Sequence, residues 1–435
     1  MSYNAYITRI KNVRKHTNAD RLLVGECFGN SIIVGLDTQE GDLGVYFPTD
    51  GKLGLEYAKS NKLLREKDEN GNNVGGYLDP EKRHITTIKL RGEQSDGLFM
   101  PIKSLSGYVD INSLKEGDLI NTINGVLICE KYVPRGKKPR TQNSAKDKRK
   151  KVNDESYPFF EEHVDTSQLA YNTNKFKPGD ICTISLKLHG TSGRTAYTIK
   201  EKKRILPYVI HRILKTLGVK LKIKKTWEYV SGTRRVVLKN YDGGFYGSNA
   251  FRQQWHDLFV GKLRKSEEVF YEIVGYTDDG KLIMPECNNK KTKDKEFIKQ
   301  YGDTTRFTYG CNVGESDIYV YRINMTNEDG DTVEYPSELV KIRCEQMGVK
   351  YCPQLETFIF TTVEDLMERV NKYLDGVDPI GKTHIREGIV VRVENKEKFT
   401  VYKHKNFNFK VLESIIKLDD ILDMEEENSI GDDNE

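Results

Sequence analysis

The alternation of apolar and polar positions divides the chain into two regions of different character. From residue 3 to about 125, short β-type runs are separated by turns rich in Gly and Asp. Ser31–Leu36, Gly44–Phe47, His84–Leu90 and Gly97–Met100 are such runs, and Gly41-Asp42 and the stretch 68–73 punctuate them. Many short strands with turn residues between them predict a small barrel or sandwich. From Tyr157 onward, strands mix with helices. Asp180–Lys187 alternates as a strand, and Arg234–Leu238, Val269–Val274, Ile318–Ile323 and Gly388–Val393 are rich in β-branched and aromatic residues. Phe251, Trp255, Leu258, Phe259 and Leu263 recur at helical spacing over Phe251–Arg264. Val363–Tyr373 reads as a helix stopped by Gly376 and Pro379. The pattern predicts a multidomain α+β chain, divided into 1–125, a connection at 126–156, a larger domain at 157–416 and a tail at 417–435. No repeat of solenoid length is visible.

Composition narrows the class. A chain of 435 residues is too long for one ordinary core. It is 37% hydrophobic and 31% charged, with no apolar run long enough to span a bilayer, so no membrane partner is expected. Met1–Val13 has no apolar core of the signal-peptide kind, which predicts a cytoplasmic or otherwise intracellular protein that is not secreted. Seven cysteines fall at 27, 129, 182, 287, 311, 344 and 352, none at CxxC spacing, and read as buried free thiols.

Net charge is only +4, but it is unevenly placed. Arg135–Lys151 holds nine Lys/Arg and one acid, whereas Asp419–Glu435 holds nine acids and no Lys or Arg. Such asymmetry can aim a polyanion at one region and repel it from another; a solvated linker and a solvated tail are the plainer alternative. Lys200–Lys225 has basic flanks around a helix-like core between Pro207 and Gly218. It fits a nucleic-acid-facing insertion and an exposed amphipathic helix equally well.

The candidate chemistry centres on Lys187-Leu-His-Gly-Thr-Ser192. Lys187 ends a predicted strand and precedes a turn of small residues, which holds an amine at the rim of a pocket. An amine that attacks phosphorus must be unprotonated, and free lysine titrates near ~10.4. A nucleophilic lysine therefore requires a desolvated site with other cations, and a carboxylate to hold a metal.

Lys187-Leu-His-Gly-Thr-Ser192, Phe270-Tyr-Glu-Ile-Val-Gly275, Glu387-Gly-Ile-Val-Val-Arg392 and Lys403-His-Lys405 resemble motifs I, III, IV and V of the covalent nucleotidyltransferases. That superfamily comprises ATP-dependent DNA ligases, RNA ligases and mRNA capping guanylyltransferases. His189 stands where DNA ligases and capping enzymes commonly have aspartate, and points to the RNA ligases. Pro158–Leu169, with His163-Val-Asp-Thr166, resembles the segment that precedes motif I. Ser231-Gly-Thr-Arg-Arg235 resembles motif Ia, and Ile318-Tyr-Val-Tyr-Arg322 the aromatic motif IIIa. The N-terminal region is similar to the OB module of the fifth RNA ligase group, through His16–Arg21, Glu40-Gly-Asp42, Tyr46–Asp50 and Arg91–Leu98.

The resemblance implies an N-terminal OB-like β-barrel followed by a nucleotidyltransferase domain of mainly antiparallel sheets with helices. It implies ATP and Mg²⁺ (or Mn²⁺) as cofactors, RNA in a nicked duplex with an RNA or DNA template as partner, and a monomer. Lys187 would carry AMP, Glu272 would bind the ribose, Tyr321 would stack on adenine and Glu387 would hold the metal. Lys403 and Lys405 would contact the α-phosphate. His189 and Gly190 would border the nucleotide, and Arg194, Arg234 and Arg235 are candidates for phosphate or RNA ends. Some choices stay open: Arg234 against Arg235 as the contact residue, Lys403/Lys405 against Lys405/Lys410, and Tyr321 as ligand against ordinary core. One position departs from the pattern. Leu186 stands where RNA ligases often have a glutamate before the nucleophile. The expected activity is joining of an RNA 3′-hydroxyl to a 5′-phosphate; a DNA ligase, or an RNA-binding protein without catalysis, is the alternative.

Overall fold

The computed structural model describes residues 3–67, 69–71, 75–134, 155–202, 224–239, 241–242 and 245–419. The basic run at 135–151, the helix-like core of the 200–225 segment and nearly all of the acidic tail lie outside the described residues. The chain forms two compact units, each assembled from separated segments. One takes 1–135, 287–304 and 405–421, the other 136–286, 305–404 and 422–435.

In the first unit the predicted short strands are present, but they are shared among small antiparallel sheets and close no single barrel among the described residues. Leu98–Pro101, Leu43–Phe47, Ala5–Arg9 and Leu119–Ile120 form one sheet, and Lys11–Lys15, Leu22–Cys27 and Asn30–Gly35 another. The predicted strand His84–Leu90 is two strands, His84–Ile85 and Thr87–Leu90. Ala5, Ile7, Val45, Phe47, Leu53 and Ile120 point inward at alternate positions and share a core with Tyr57 and Leu105. The stretch predicted as a connection begins with the strands Val126–Leu127 and Cys129–Lys131. The C-terminal helix Phe407–Leu418 also belongs to this unit.

The second unit is built on two sheets. The larger runs in the order Val237–Leu238, Lys224–Gly232, Thr191–Lys202, Glu267–Gly275, Ser316–Thr326 and Thr332–Glu334, with Glu155–Ser156 on Thr191–Lys202. Glu267–Gly275 lies inside this sheet and all nine of its residues are buried, the glutamates at 267, 268 and 272 included. The smaller sheet runs in the order Ser167–Gln168, Thr400–Lys405, Gly388–Val393, Ile181–Lys187 and Gln354–Ile359. Its inner face packs Cys182, Ile184, Ile389 and Val391 against Leu366 and Val370 of the helix Val363–Leu374. That helix starts where predicted because the Thr362 side chain caps it, accepting from Asp365 N–H at 3.2 Å. The predicted helix over Phe251–Arg264 is shorter, Ala250–Phe259. No helix among the described residues is long and apolar enough to cross a membrane.

Candidate functional site

The strand Ile181–Lys187 of the smaller sheet ends at Lys187, and the strand Thr191–Lys202 of the larger sheet begins four residues later. The turn Leu188-His189-Gly190 thus passes the chain from one sheet to the other, with Lys187 at the crossing. Antiparallel register sets Lys187 opposite Gly388, so Glu387 emerges beside it. The Lys187 amine lies 2.9 Å from a Glu387 carboxylate oxygen, with side chains 18% and 2% exposed. On the other sheet Ser192 pairs with Glu272, which carries that carboxylate to the same place.

Lys187, Ser192 and Glu272 open onto a cavity of about 110 Å³. Lys187, Glu272, Tyr321, Arg234 and Lys403 line it, with Leu186, Leu188, Val390, Phe399 and Val401 as apolar walls. This mixed lining suits a small molecule with one flat apolar part and one charged part. Tyr321 arrives by a local irregularity. Phe270 pairs with Arg322 and Tyr271 with Val320, which leaves Tyr321 as an extra residue in its strand. A bulge of this kind re-aims a side chain, here into the cavity. The Tyr321 hydroxyl has no hydrogen-bond partner among the described residues. Burial, reinforced by Glu272, pushes its ionisation well above the ordinary tyrosine range.

The remaining sequence candidates fall in distinct places. Arg234 lines the cavity and its guanidinium meets Asp165, while Arg235 reaches the other Asp165 oxygen at 3.6 Å. Burial pushes the Asp165 carboxyl up, but Arg234 outweighs it and leaves the group below its ordinary value. Arg194 is 2% exposed. Its Nε donates to Thr233 O at 2.8 Å, its Nη1 donates to Glu161 O, and the guanidinium lies 4.0 Å over the Phe160 ring. In this arrangement Arg194 clamps the segment that precedes Lys187. The His189 ring is buried edge-on to Phe307, centroids 4.7 Å apart. Gly190 runs so close to the larger sheet that a Cβ there would sit 2.3 Å from Ile273 O.

The two lysines at 403 and 405 part company. Lys403 lines the cavity, whereas the Lys405 amine lies 2.8 and 2.9 Å from the Glu413 oxygens. Glu413 belongs to an ion cluster of the first unit in which Lys417 contacts Asp50 at 2.8 Å and Glu413 at 3.6 Å. Burial works against ionisation of Glu413, but Lys405 and Lys417 hold its carboxyl down to about 2. Lys410 pairs with Asp96.

Sequence reading missed several residues that shape this region. Arg252, 2% exposed, donates to Ser192 O at 2.9 Å and Thr191 Oγ1 at 2.7 Å, pinning the first residues after the turn. Phe399 receives the Arg322 and Arg392 guanidiniums at 4.6 and 4.9 Å from its centroid. Tyr309 contacts the turn itself. The one available signal was an arginine on the buried side of the predicted helix Phe251–Arg264; Tyr309 gave none.

Among the described residues, no group of three His, Cys, Asp or Glu side chains forms a metal cage. A hard divalent ion bound here would take Glu387, with nucleotide phosphates and water completing its shell, which is how magnesium commonly sits beside phosphates. Glu387, 2% exposed and 2.9 Å from the Lys187 amine, offers an oxygen ligand of the kind such an ion takes.

No family model matches the chain, and no curated protein matches it. Solved structures do. A lysine-to-methionine variant of the Naegleria gruberi RNA ligase with AMP and Mn aligns over 93% of this chain and 97% of its own, at 16% identity and a TM-score of 0.56. A glutamate-to-alanine variant with AMP and Mn gives the same coverages and identity with a TM-score of 0.57. The same ligase with PPi gives 0.55. Across nearly its whole length, therefore, this chain has the fold of the Naegleria gruberi RNA ligase.

Proposed function

We propose that the chain is an ATP-dependent RNA ligase that carries AMP on Lys187. One observation supports this above the rest: the Lys187 amine, paired with Glu387, opens onto the same cavity as Glu272, Tyr321, Arg234 and Lys403. The Naegleria structures of the same fold, held with AMP and Mn, with ATP and Mn, or with PPi, support the nucleotide and metal assignment.

In the first step the Lys187 nitrogen attacks the α-phosphorus of ATP; a P–N bond forms and the P–O bond to pyrophosphate breaks. The ion pair with Glu387 orients the amine, which attacks in its neutral form after giving a proton to solvent. A divalent ion supplies charge neutralisation at the phosphates when bound. Lys403 adds positive charge where negative charge accumulates, and Tyr321 with the apolar walls holds the base. In the second step an oxygen of an RNA 5′-phosphate takes the AMP from Lys187, and the P–N bond breaks. In the third, a 3′-hydroxyl oxygen attacks the activated phosphate and AMP leaves. Little bond chemistry falls to the protein, and alignment does most of the work.

Leu186 lines the cavity where other RNA ligases often carry glutamate, so discrimination of ATP from GTP rests on shape and not on that carboxylate. We assign the N-terminal unit an OB-like, nucleic-acid-binding role, with breaks in duplexes bearing an RNA 3′-hydroxyl as substrate, as the likeness to the fifth RNA ligase group suggests. Incubation with labelled ATP and Mg²⁺ or Mn²⁺ should give an acid-labile AMP adduct that Lys187→Ala abolishes. Equal labelling of the Ala variant overturns the assignment. Nicked duplexes differing only in the 3′-terminal sugar separate an RNA ligase from a DNA ligase, and absence of any adduct leaves an RNA-binding protein.

A further inference from the structure

The turn Leu188-His189-Gly190 lies between two strands and belongs to neither sheet. Its main-chain groups therefore need partners from elsewhere. The His189 N–H finds one in a residue 120 positions away: it donates to the Tyr309 phenol oxygen at 2.6 Å. Tyr309 is 4% exposed, so water does not readily replace the contact.

The chain around Tyr309 is shaped to deliver that oxygen. Tyr309 has a φ of +52°, a left-handed conformation that a bulky aromatic residue adopts only when its surroundings impose it. Gly310 follows at φ +82°. Behind it, Gly381 lies so close that a Cβ there would stand 2.4 Å from both Tyr309 C and Gly310 N. The Tyr309 ring is fixed edge-on to His384, centroids 4.5 Å apart, and His384 Nδ1 is in turn 2.9 Å from Ile385 O. Burial, with Asp378 and Glu387 nearby, keeps the phenol protonated far above neutral pH. The oxygen therefore meets the N–H as a neutral acceptor.

We propose that Tyr309 is a positioning residue for the nucleophile: through the His189 N–H it fixes the turn that aims the Lys187 amine. The proposal rests on Lys187 being the AMP-carrying residue. Such a residue should affect the rate of adduct formation and not the affinity for nucleotide, because it does not line the cavity.

Tyr309→Phe keeps the ring and removes only the acceptor. At saturating ATP, AMP-adduct formation should slow by about tenfold, the scale of one neutral hydrogen bond. The ATP concentration for half-maximal rate should stay within about twofold. In parallel, amide exchange should show His189 protected in the wild-type chain and faster in the variant, with Ile184 in the neighbouring strand unchanged. Labelling at the parental rate, a shift in half-saturation equal to the loss in rate, or an unprotected His189 amide in the folded wild type each overturns the proposal. Failure of the wild-type chain to form any adduct would instead remove the Lys187 reading, and this proposal with it.

Discussion

Gly190→Ala is the smallest change that should disturb the site without replacing a functional side chain. A Cβ at this position would lie 2.3 Å from Ile273 O, 2.9 Å from Glu272 Cγ and 3.0 Å from Val274 Cγ1. The first neighbour is main chain of a strand buried along its whole length, so it cannot step aside as a flexible side chain would. Ordinary contact begins at 3.4 Å, and the turn must retreat by about 1 Å. Overpacking of this kind costs about 1–3 kcal/mol. In a unit of this size that lowers the melting temperature by roughly 2–4 °C per kcal/mol. The functional cost should be larger than the stability cost suggests. The turn holds Lys187 on one side and faces Glu272 on the other, and a misplacement of about 1 Å can cost on the order of 100-fold in rate. The assay is AMP-adduct formation at saturating ATP beside a thermal melt. Gly107→Ala is the control, since nothing lies within 4 Å of a Cβ there. Labelling by Gly190→Ala within threefold of the parent, with an unchanged melt, would refute the reasoning.

Other contacts give predictions of different kinds. Arg343 holds the fully buried Glu267 through two 2.8 Å bonds, so Arg343→Met should destabilise the second unit by about 3–5 kcal/mol in urea unfolding; a loss below about 1 kcal/mol would contradict it. Tyr321→Leu should raise the half-saturating ATP concentration by about five- to 100-fold, the range for one lost stacking contact, with little change in maximal rate. A change in rate alone would remove the stacking role. Glu413 is held at about 2, below its unfolded value of 4.5, so its stabilising contribution is complete above about pH 4.5 and fades as pH falls toward 2. The urea midpoint of the first unit should therefore drop between pH 5 and pH 3, with up to about 2 kcal/mol from this group, and Glu413→Gln should flatten that dependence. A midpoint that falls equally in the variant would assign the acid sensitivity elsewhere.

Much of the second unit was legible because its strands are buried and local pattern reports burial. Gly388–Val393 has the bounds predicted for it, and the all-buried strand Glu267–Gly275 shows as a β-rich run interrupted only by carboxylates. Those carboxylates were the informative exceptions. A buried Glu needs a partner, and the structure gives Glu267 to Arg343, Glu268 to Arg194 and Glu272 to the cavity. Pattern could not separate these fates, since all three sit in one strand. Nor could it see that Glu268 is pushed up to about 8 by burial, with Arg194 only partly opposing.

The sequence by itself determined the strand that ends at Lys187, the small-residue turn after it, and the order of the motifs that resemble a nucleotidyltransferase. These are local properties, carried by two-residue alternation and by residues that cannot be buried without a purpose. Only the tertiary structure decided which cations reach the cavity. Lys403 and Lys405 lie two residues apart on one strand and should share a face, yet Lys405 is committed to Glu413 and Lys403 lines the cavity. It also decided that a bulge turns Tyr321 inward, and that a tyrosine 120 residues away supplies the acceptor for His189. The reason is the same in each case. Register, bulges and long-range hydrogen bonds are set by how distant segments pack, and no window along the chain contains both partners.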